Sequence, residues 1–130
     1  MSEAVLDASA VLAYLLGEPG EDVVAQVLES GLGVISTVNL SEVVAKLADV
    51  GMTRAEIEQV VDGLDLRVVA FTRAHALECA RWRLMTRSLG LSLGDRACLA
   101  LAGELSLPVL TTDRAWAELG GGSMVRVVRP

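Results

Sequence analysis

An α/β fold, with a mainly parallel central sheet and helices on both faces, is what this sequence predicts. Two observations carry the prediction. Short apolar runs of strand length alternate with longer segments whose apolar residues recur at helical spacing; strands alternating with helices build parallel sheets covered on both sides. The chain also has 130 residues, 52% hydrophobic and 22% charged, without repeat, linker or low-complexity tract, which is the make-up of one globular domain.

The run AVL at 4–6 reads as a short buried strand. Residues 9–16 form a helix stopped by Gly17 and Pro19, and residues 21–30 a second helix ending at Gly31. GVIS at 33–36 is the second strand. Residues 38–50 make a third helix, with Leu40, Val43, Val44 and Leu47 at helical spacing. Thr53 opens a fourth, with Glu56 three residues on as a capping box. LRVVAF at 66–71 is the third strand, and Thr72 then caps a long helix running to about Ser88, closed by Gly90. Residues 93–105 form another helix, PVLTT at 108–112 the fourth strand, residues 114–119 a short helix and SMVRVV at 123–128 a last strand.

The net charge of −6 argues against broad electrostatic adhesion to nucleic acid and leaves room only for a local basic surface. Lys46 is the only lysine, so such a surface would be built of arginine, whose planar guanidinium makes bidentate phosphate contacts. No apolar run approaches the ~18 residues of a membrane span. An acid stands near the start of the chain where a signal peptide would carry basic residues, so a cytoplasmic protein is expected. Cys79 and Cys98 match no zinc spacing and make no disulfide framework; they are expected to be buried core thiols. His75 is the only histidine, has no motif around it, and is expected to be structural or at the surface. Trp82 and Trp116 are expected to pack rather than stack on bases.

Four acids fall where a parallel sheet binds ligands, beyond the carboxyl ends of its strands. Asp7 follows strand one directly and Asp113 follows strand four. Glu42 lies about a turn into the helix after strand two, and Asp95 in the first turn of the helix before strand four. Each could instead be a helix cap, accepting free backbone N–H groups. Two features favour a site. Asp95, Cys98 and Ala102 lie on one stripe with Leu101 and Leu105, so Asp95 is expected on the buried face, where a cap has little reason to point. Asp7 and Asp113 both end strongly apolar runs of the kind that make central strands, and central strands lie side by side. Carboxylates brought together repel unless protonated or bridged by a cation. With no histidine or cysteine ligand nearby, an all-oxygen cluster suits Mg²⁺ or Mn²⁺.

The blocks VLDASAVLAYLLGE, STVNLSEVVAKL and LSLGDRACLALAGELSLPVLTTDRAW resemble the PIN-domain ribonucleases, specifically the VapC-type toxins of toxin–antitoxin pairs. They fall in the family's order from about residue 4 to residue 118. The resemblance implies a PIN-like three-layer sandwich over residues 1–130, with Asp7, Glu42, Asp95 and Asp113 matching the family's acidic quartet. Ser9 and Thr112 match hydroxyl positions that accompany the quartet. Mg²⁺, with Mn²⁺ as a substitute, is the implied cofactor and RNA the implied substrate. A homodimer and a cognate VapB-type antitoxin covering the cleft are the implied partners. On that footing Arg83 and Arg87, one helical turn apart, and Arg96, beside Asp95, are candidates for contact with RNA phosphate or an acidic antitoxin segment. Arg114, beside Asp113, is a weaker candidate of the same kind.

Two other readings stand beside this one. A haloacid-dehalogenase-like phosphatase also begins with an Asp after strand one, but it uses a second Asp two residues on, where this chain has Ser9. It also needs a well-placed lysine, and Lys46 sits among the residues of the Glu42 helix. The remaining reading is a PIN fold kept as a binding module, with its acids catalytically unused.

Overall fold

Polar residues just ahead of five helices decide where each of them begins. Asp7, Ser36, Thr53, Thr72 and Ser92 each sit in extended backbone and accept a backbone N–H from the first turn of the helix that follows. The computed structural model describes residues 2–119 and 125–129. Within them the elements run β1 (Ala4–Leu6), α1 (Ala8–Leu16), α2 (Glu21–Glu29), β2 (Gly33–Ser36), α3 (Thr37–Asp49), α4 (Arg54–Gly63), β3 (Arg67–Val69), α5 (Arg73–Met85), α6 (Leu93–Leu105), β4 (Val109–Thr111) and β5 (Val125–Val127). Short 3-10 turns cover Arg87–Leu89 and Arg114–Glu118.

The strands form one sheet in the order β3-β2-β1-β4-β5, with every neighbouring pair parallel. Strand β1 is central, and the chain leaves it toward β2 on one side while β4 flanks it on the other. Side chains of a strand alternate between faces, and here the two faces feed two cores. Leu6, Ile35 and Leu110 pack with α1–α4 residues such as Val11, Val24, Val43 and Ile57. Val5, Val34 and Val109 pack with Cys98, Leu101 and Trp116 on the α6 side. Strands β1, β2 and β4 are buried throughout, so their near-continuous apolar sequence follows from burial on both faces. Among the described residues no helix is long and apolar enough to cross a membrane.

Several predicted boundaries shift for local reasons. The helix expected to reach Ser88 ends at Met85. There the Thr86 hydroxyl donates to Trp82 O at 2.5 Å, a side-chain bond that competes with continued helix, and Gly90 closes the following 3-10 turn in the left-handed region with φ of 60°. The third strand is confined to Arg67–Val69, because as an edge strand it pairs only with four-residue β2. Strand β4 stops at Thr111, and Thr112 and Asp113 turn into a 3-10 turn rather than an α-helix. Residues 123 and 124 of the predicted last strand lie outside the described residues.

Both cysteines are free and buried. His75 is buried, and its role is legible from its partners: Nδ1 accepts the Thr72 N–H at 3.2 Å, which leaves the proton on Nε2, 2.9 Å from Glu104 Oε2. It closes the α5 capping box, a structural task. Trp116 is fully buried and Trp82 packs against the same core.

Candidate active site

Parallel sheets take ligands at the point where chain connections leave a strand in opposite directions, outside its carboxyl end. Here that point lies between β1 and β4. Their register pairs Val5 with Val109 and Leu6 with Leu110, which brings Asp7 level with Thr111. Asp7 is 4% exposed, and both its carboxylate oxygens are engaged. Oδ1 accepts the Ser9 hydroxyl at 2.7 Å and the Ala10 N–H at 2.9 Å, and Oδ2 accepts the Thr111 hydroxyl at 2.5 Å. Each of these hydroxyls also receives a backbone N–H from the loop after β4, Ser9 Oγ from Thr112 at 3.0 Å and Thr111 Oγ1 from Asp113 at 3.1 Å. The start of α1 is thereby tied to the loop carrying Asp113.

The hydroxyl expected at Thr112 is therefore replaced by that of Thr111, while Thr112 serves through its backbone. The physical reason is the two-residue strand period: Thr111 falls on the face of Val109, as Asp7 falls on the face of Val5. That alternation was the available signal.

Burial pushes the Asp7 carboxyl up from 3.8 to about 6; hydrogen bonds from Thr111, Ser9 and Ala10 hold it below where burial alone would leave it, and the charge of Asp95 adds to the rise. Glu42 is also raised, by partial burial first and by the charge of Asp95, against a lowering hydrogen bond from Asn39. The Cys98 thiol registers the same neighbourhood. Burial raises it well above the usual thiol range, and Asp7, Asp95 and Glu42 all push it further. Three carboxylates, one following β1 and the others on α3 and α6, are thus within electrostatic reach of one buried thiol on α6.

Asp95 does not do what its stripe predicted alone. It completes a capping box, with Oδ2 accepting the Ser92 N–H at 2.9 Å and its own N–H donating to Ser92 Oγ at 3.2 Å. An N3 side chain reaches back to the N-cap; Asp95 does so half-buried, and its charge still reaches Asp7, Glu42 and Cys98. Asp113 is exposed and caps the 3-10 turn, accepting the Ala115 N–H at 3.0 Å. It does not enter the electrostatic neighbourhood of Cys98.

Two residues at this edge were not singled out from sequence. Asn39, 1% exposed on α3, donates from Nδ2 to Glu42 Oε1 at 3.1 Å and to Gly94 O at 2.9 Å. Its Oδ1 is buried without a partner, an omission that costs about 1–3 kcal/mol. A Cβ on Gly94 would stand only 2.3 Å from Glu42 Oε1, so the carboxylate fits because residue 94 has no side chain. The i,i+3 spacing of Asn39 and Glu42 was the signal for the first of these.

The arginine candidates separate. Arg83 and Arg87 both line an open pocket of about 370 Å³ with Thr86, Gly90 and Leu91. Arg96, about 100° round the helix from Asp95, reaches α5, where Nη1 donates to Cys79 O at 3.4 Å and Nε is buried. It links two helices instead of facing a groove.

Oxygen-only anionic donors fit a hard divalent cation in kind. Among the described residues, however, no group of three His, Cys, Asp or Glu side chains is gathered closely enough to hold a metal ion.

A parallel α/β sandwich with carboxylates converging at the carboxyl edge of its central strand defines the class: a compact domain with an acidic site at its topological switch point. More specifically, the chain belongs to the PIN-domain family, whose model matches residues 4–122. Solved structures with the same fold include a toxin–antitoxin complex from Klebsiella pneumoniae, with a TM-score of 0.73 at 18% identity over 97% of this chain and 98% of that one. DNA-bound VapBC from Salmonella typhimurium gives 0.72 at 19% identity, over 97% and 98%. VapC20 of Mycobacterium tuberculosis, a sarcin–ricin-loop-cleaving toxin, gives 0.73 at 18% identity, over 98% and 100%. No curated protein matches the sequence.

Proposed function

We propose that this protein is a divalent-cation-dependent endoribonuclease, the toxin of a VapC-type toxin–antitoxin pair acting in the cytoplasm. The observation that carries the reading is the convergence of Asp7, Glu42 and Asp95 from three separate elements of a PIN-domain chain. Asp7, Asp95 and Asp113 would hold Mg²⁺, or Mn²⁺ in its place. When bound, such a cation lowers the pKa of a water and neutralises charge on a phosphate oxygen. Asp7 is kept in orientation by Ser9 and Thr111. Glu42, whose proton affinity is raised, would orient a water or help hold a second cation. In-line attack would leave a 5′-phosphate and a 3′-hydroxyl, and would need no 2′-hydroxyl nucleophile and no histidine pair. The likeness to VapBC complexes supports a VapB-type antitoxin as partner, and the toxin branch implies a homodimer. Arg83 and Arg87 supply RNA phosphate contact at their shared pocket.

One observation favours a second reading, a PIN fold retained for binding: the described acids are within electrostatic reach of one another without sharing a coordination centre. Incubation of the protein with a total-RNA pool and Mg²⁺ separates the two. Discrete cuts ending in 5′-phosphate, lost with chelator and in Asp95→Asn, are expected of the nuclease. A 2′,3′-cyclic end would refute the mechanism, and a folded, Mg²⁺-supplied protein that leaves every RNA intact would favour the binding module.

A further inference from the structure

Helix α5 is amphipathic the wrong way round for a surface helix. Its inner stripe is polar or small, with His75, Cys79 and Thr86 buried and Trp82 half-buried. Its outer stripe runs Arg73, Leu77, Ala80, Leu84; all four are exposed, and all but the first are apolar. Leu77, Leu84 and Met85 are 60%, 65% and 60% exposed, the three most exposed large apolar side chains among the described residues. A single exposed leucine is ordinary, but three such side chains on one helix make a patch, where a surface helix normally turns charge outward.

The charges beside the stripe select its occupant. Glu78 and Arg81 lie on one flank, partly exposed and paired with each other; Ala76 and Arg83 lie on the other. A partner helix of one charge sign would meet either Glu78 or Arg81 unfavourably. A second copy of α5 satisfies both. When identical helices pack antiparallel about a two-fold axis, each flank meets the same flank of the other copy in reversed order. With the axis midway between Leu77 and Leu84, each Leu77 packs on the other copy's Leu84, and the small Ala80 at the axis allows close approach. Glu78 of each copy then comes level with Arg81 of the other to within about 3 Å of rise. The two intrachain pairs thereby join into one alternating square of charges. On the second flank Arg83 faces Ala76, and at the ends of the stripe Arg73 comes level with Ser88.

We propose that α5 is a self-docking face, on which two copies of this chain pack antiparallel about a two-fold axis beside Ala80. The inference gives a face to the homodimer that the toxin reading implies, but it stands on α5 alone and needs neither RNA nor cation.

Sedimentation equilibrium in chelator tests it. One helix face offers less than the ~800 Å² per partner of a standard interface, so a monomer–dimer equilibrium is expected between about 1 and 300 µM protein. Leu84→Glu is expected to weaken dimerisation at least ~10-fold. Because Leu84 is exposed in the single chain, the dilute variant should unfold at the temperature of the dilute wild type. Glu78→Arg and Arg81→Glu each set like charges against one another across the axis, and each should weaken dimerisation by about 10-fold. An equimolar mixture of those two variants should associate as the wild type does, since one copy then brings two arginines and the other two glutamates. Loss of the intrachain pair alone would not be repaired by mixing. A wild type that stays monomeric throughout overturns the proposal and leaves the α5 stripe to a different chain. A dimer that survives Leu84→Glu, or a mixture no stronger than its components, also overturns it. Any of these failures leaves the nuclease reading standing, and a failure to cleave RNA leaves this face untouched.

Discussion

At the scale of single residues the molecule holds a conflict at Asp7. Its carboxylate is buried, which is why the folded chain keeps the proton to about pH 6 while the unfolded chain releases it near 3.8. Between those values the folded state binds more protons, so stability falls as pH rises through the window and stays lowered above it. The full difference is about 3 kcal/mol. Asp7→Asn removes the charge and keeps the shape. In chelator at pH 7.5 it should therefore unfold at a higher temperature than wild type, by up to that free energy, while losing RNA cleavage. The advantage should shrink to nothing as pH falls toward 4, and a variant less stable than wild type at pH 7.5 would contradict the argument. The hydroxyls divide as sharply. Thr111 donates to Asp7 and lowers its proton affinity, whereas Thr112 gives only its N–H. Thr111→Val should move the acid limb of the cleavage–pH profile upward, and Thr112→Val should leave the limb in place. Equal shifts in the two variants would restore the hydroxyl of Thr112 to the site.

At the scale of elements, Asp7 and Asp95 both start helices and carry charge at the proposed site. Ser92 and Asp95 share the capping box of α6, but only Asp95 brings charge to the cluster. Ser92→Ala should cost about 1 kcal/mol of stability, visible as a lower unfolding temperature, with cleavage of the same order as wild type. Asp95→Asn retains an oxygen for the Ser92 N–H and should unfold near the wild-type temperature while cleavage disappears. If both variants lost cleavage alike, capping of α6 and not the carboxylate charge would be the requirement. Most of this layout was legible in the sequence because burial on both faces leaves a direct trace: AVL, the GVI of GVIS and the VL of PVLTT are continuously apolar, and Thr53 with Glu56 announces its capping box by spacing alone. What the sequence did not disclose depends on register between distant elements. The pairing of Thr111 with Asp7 is set by the β1–β4 ladder, and the contact of Gly94 with Glu42 by the approach of α3 to α6. The turn of Arg96 to α5 is likewise a matter of helix rotation against a neighbour that local pattern does not encode.

At the scale of the whole molecule, the RNA substrate of the proposed nuclease would have to approach a chain of net charge −6 against its field. Attraction has to be local, and Arg83 and Arg87 meet at one open pocket at the end of α5. Their flanks sharpen the contrast: Arg81 is committed to Glu78, whereas the pocket itself is lined, among the described residues, by Arg83, Arg87, Thr86, Gly90 and Leu91. Each phosphate neutralised on a single strand contributes a slope of about −0.7 to the logarithm of affinity against the logarithm of salt. Two contacts at this pocket therefore contribute about −1.4. Arg83→Glu/Arg87→Glu should raise KM for RNA, leave kcat near the wild-type value, and flatten the salt dependence of kcat/KM between 50 and 300 mM KCl by about that amount. The pair lies outside the acidic cluster, so loss of kcat with unchanged KM would mean that the substitutions disturb the fold or the cluster. An unchanged salt slope would release these arginines from RNA altogether and leave the pocket to an acidic segment of the antitoxin, which the same double variant would then bind less tightly.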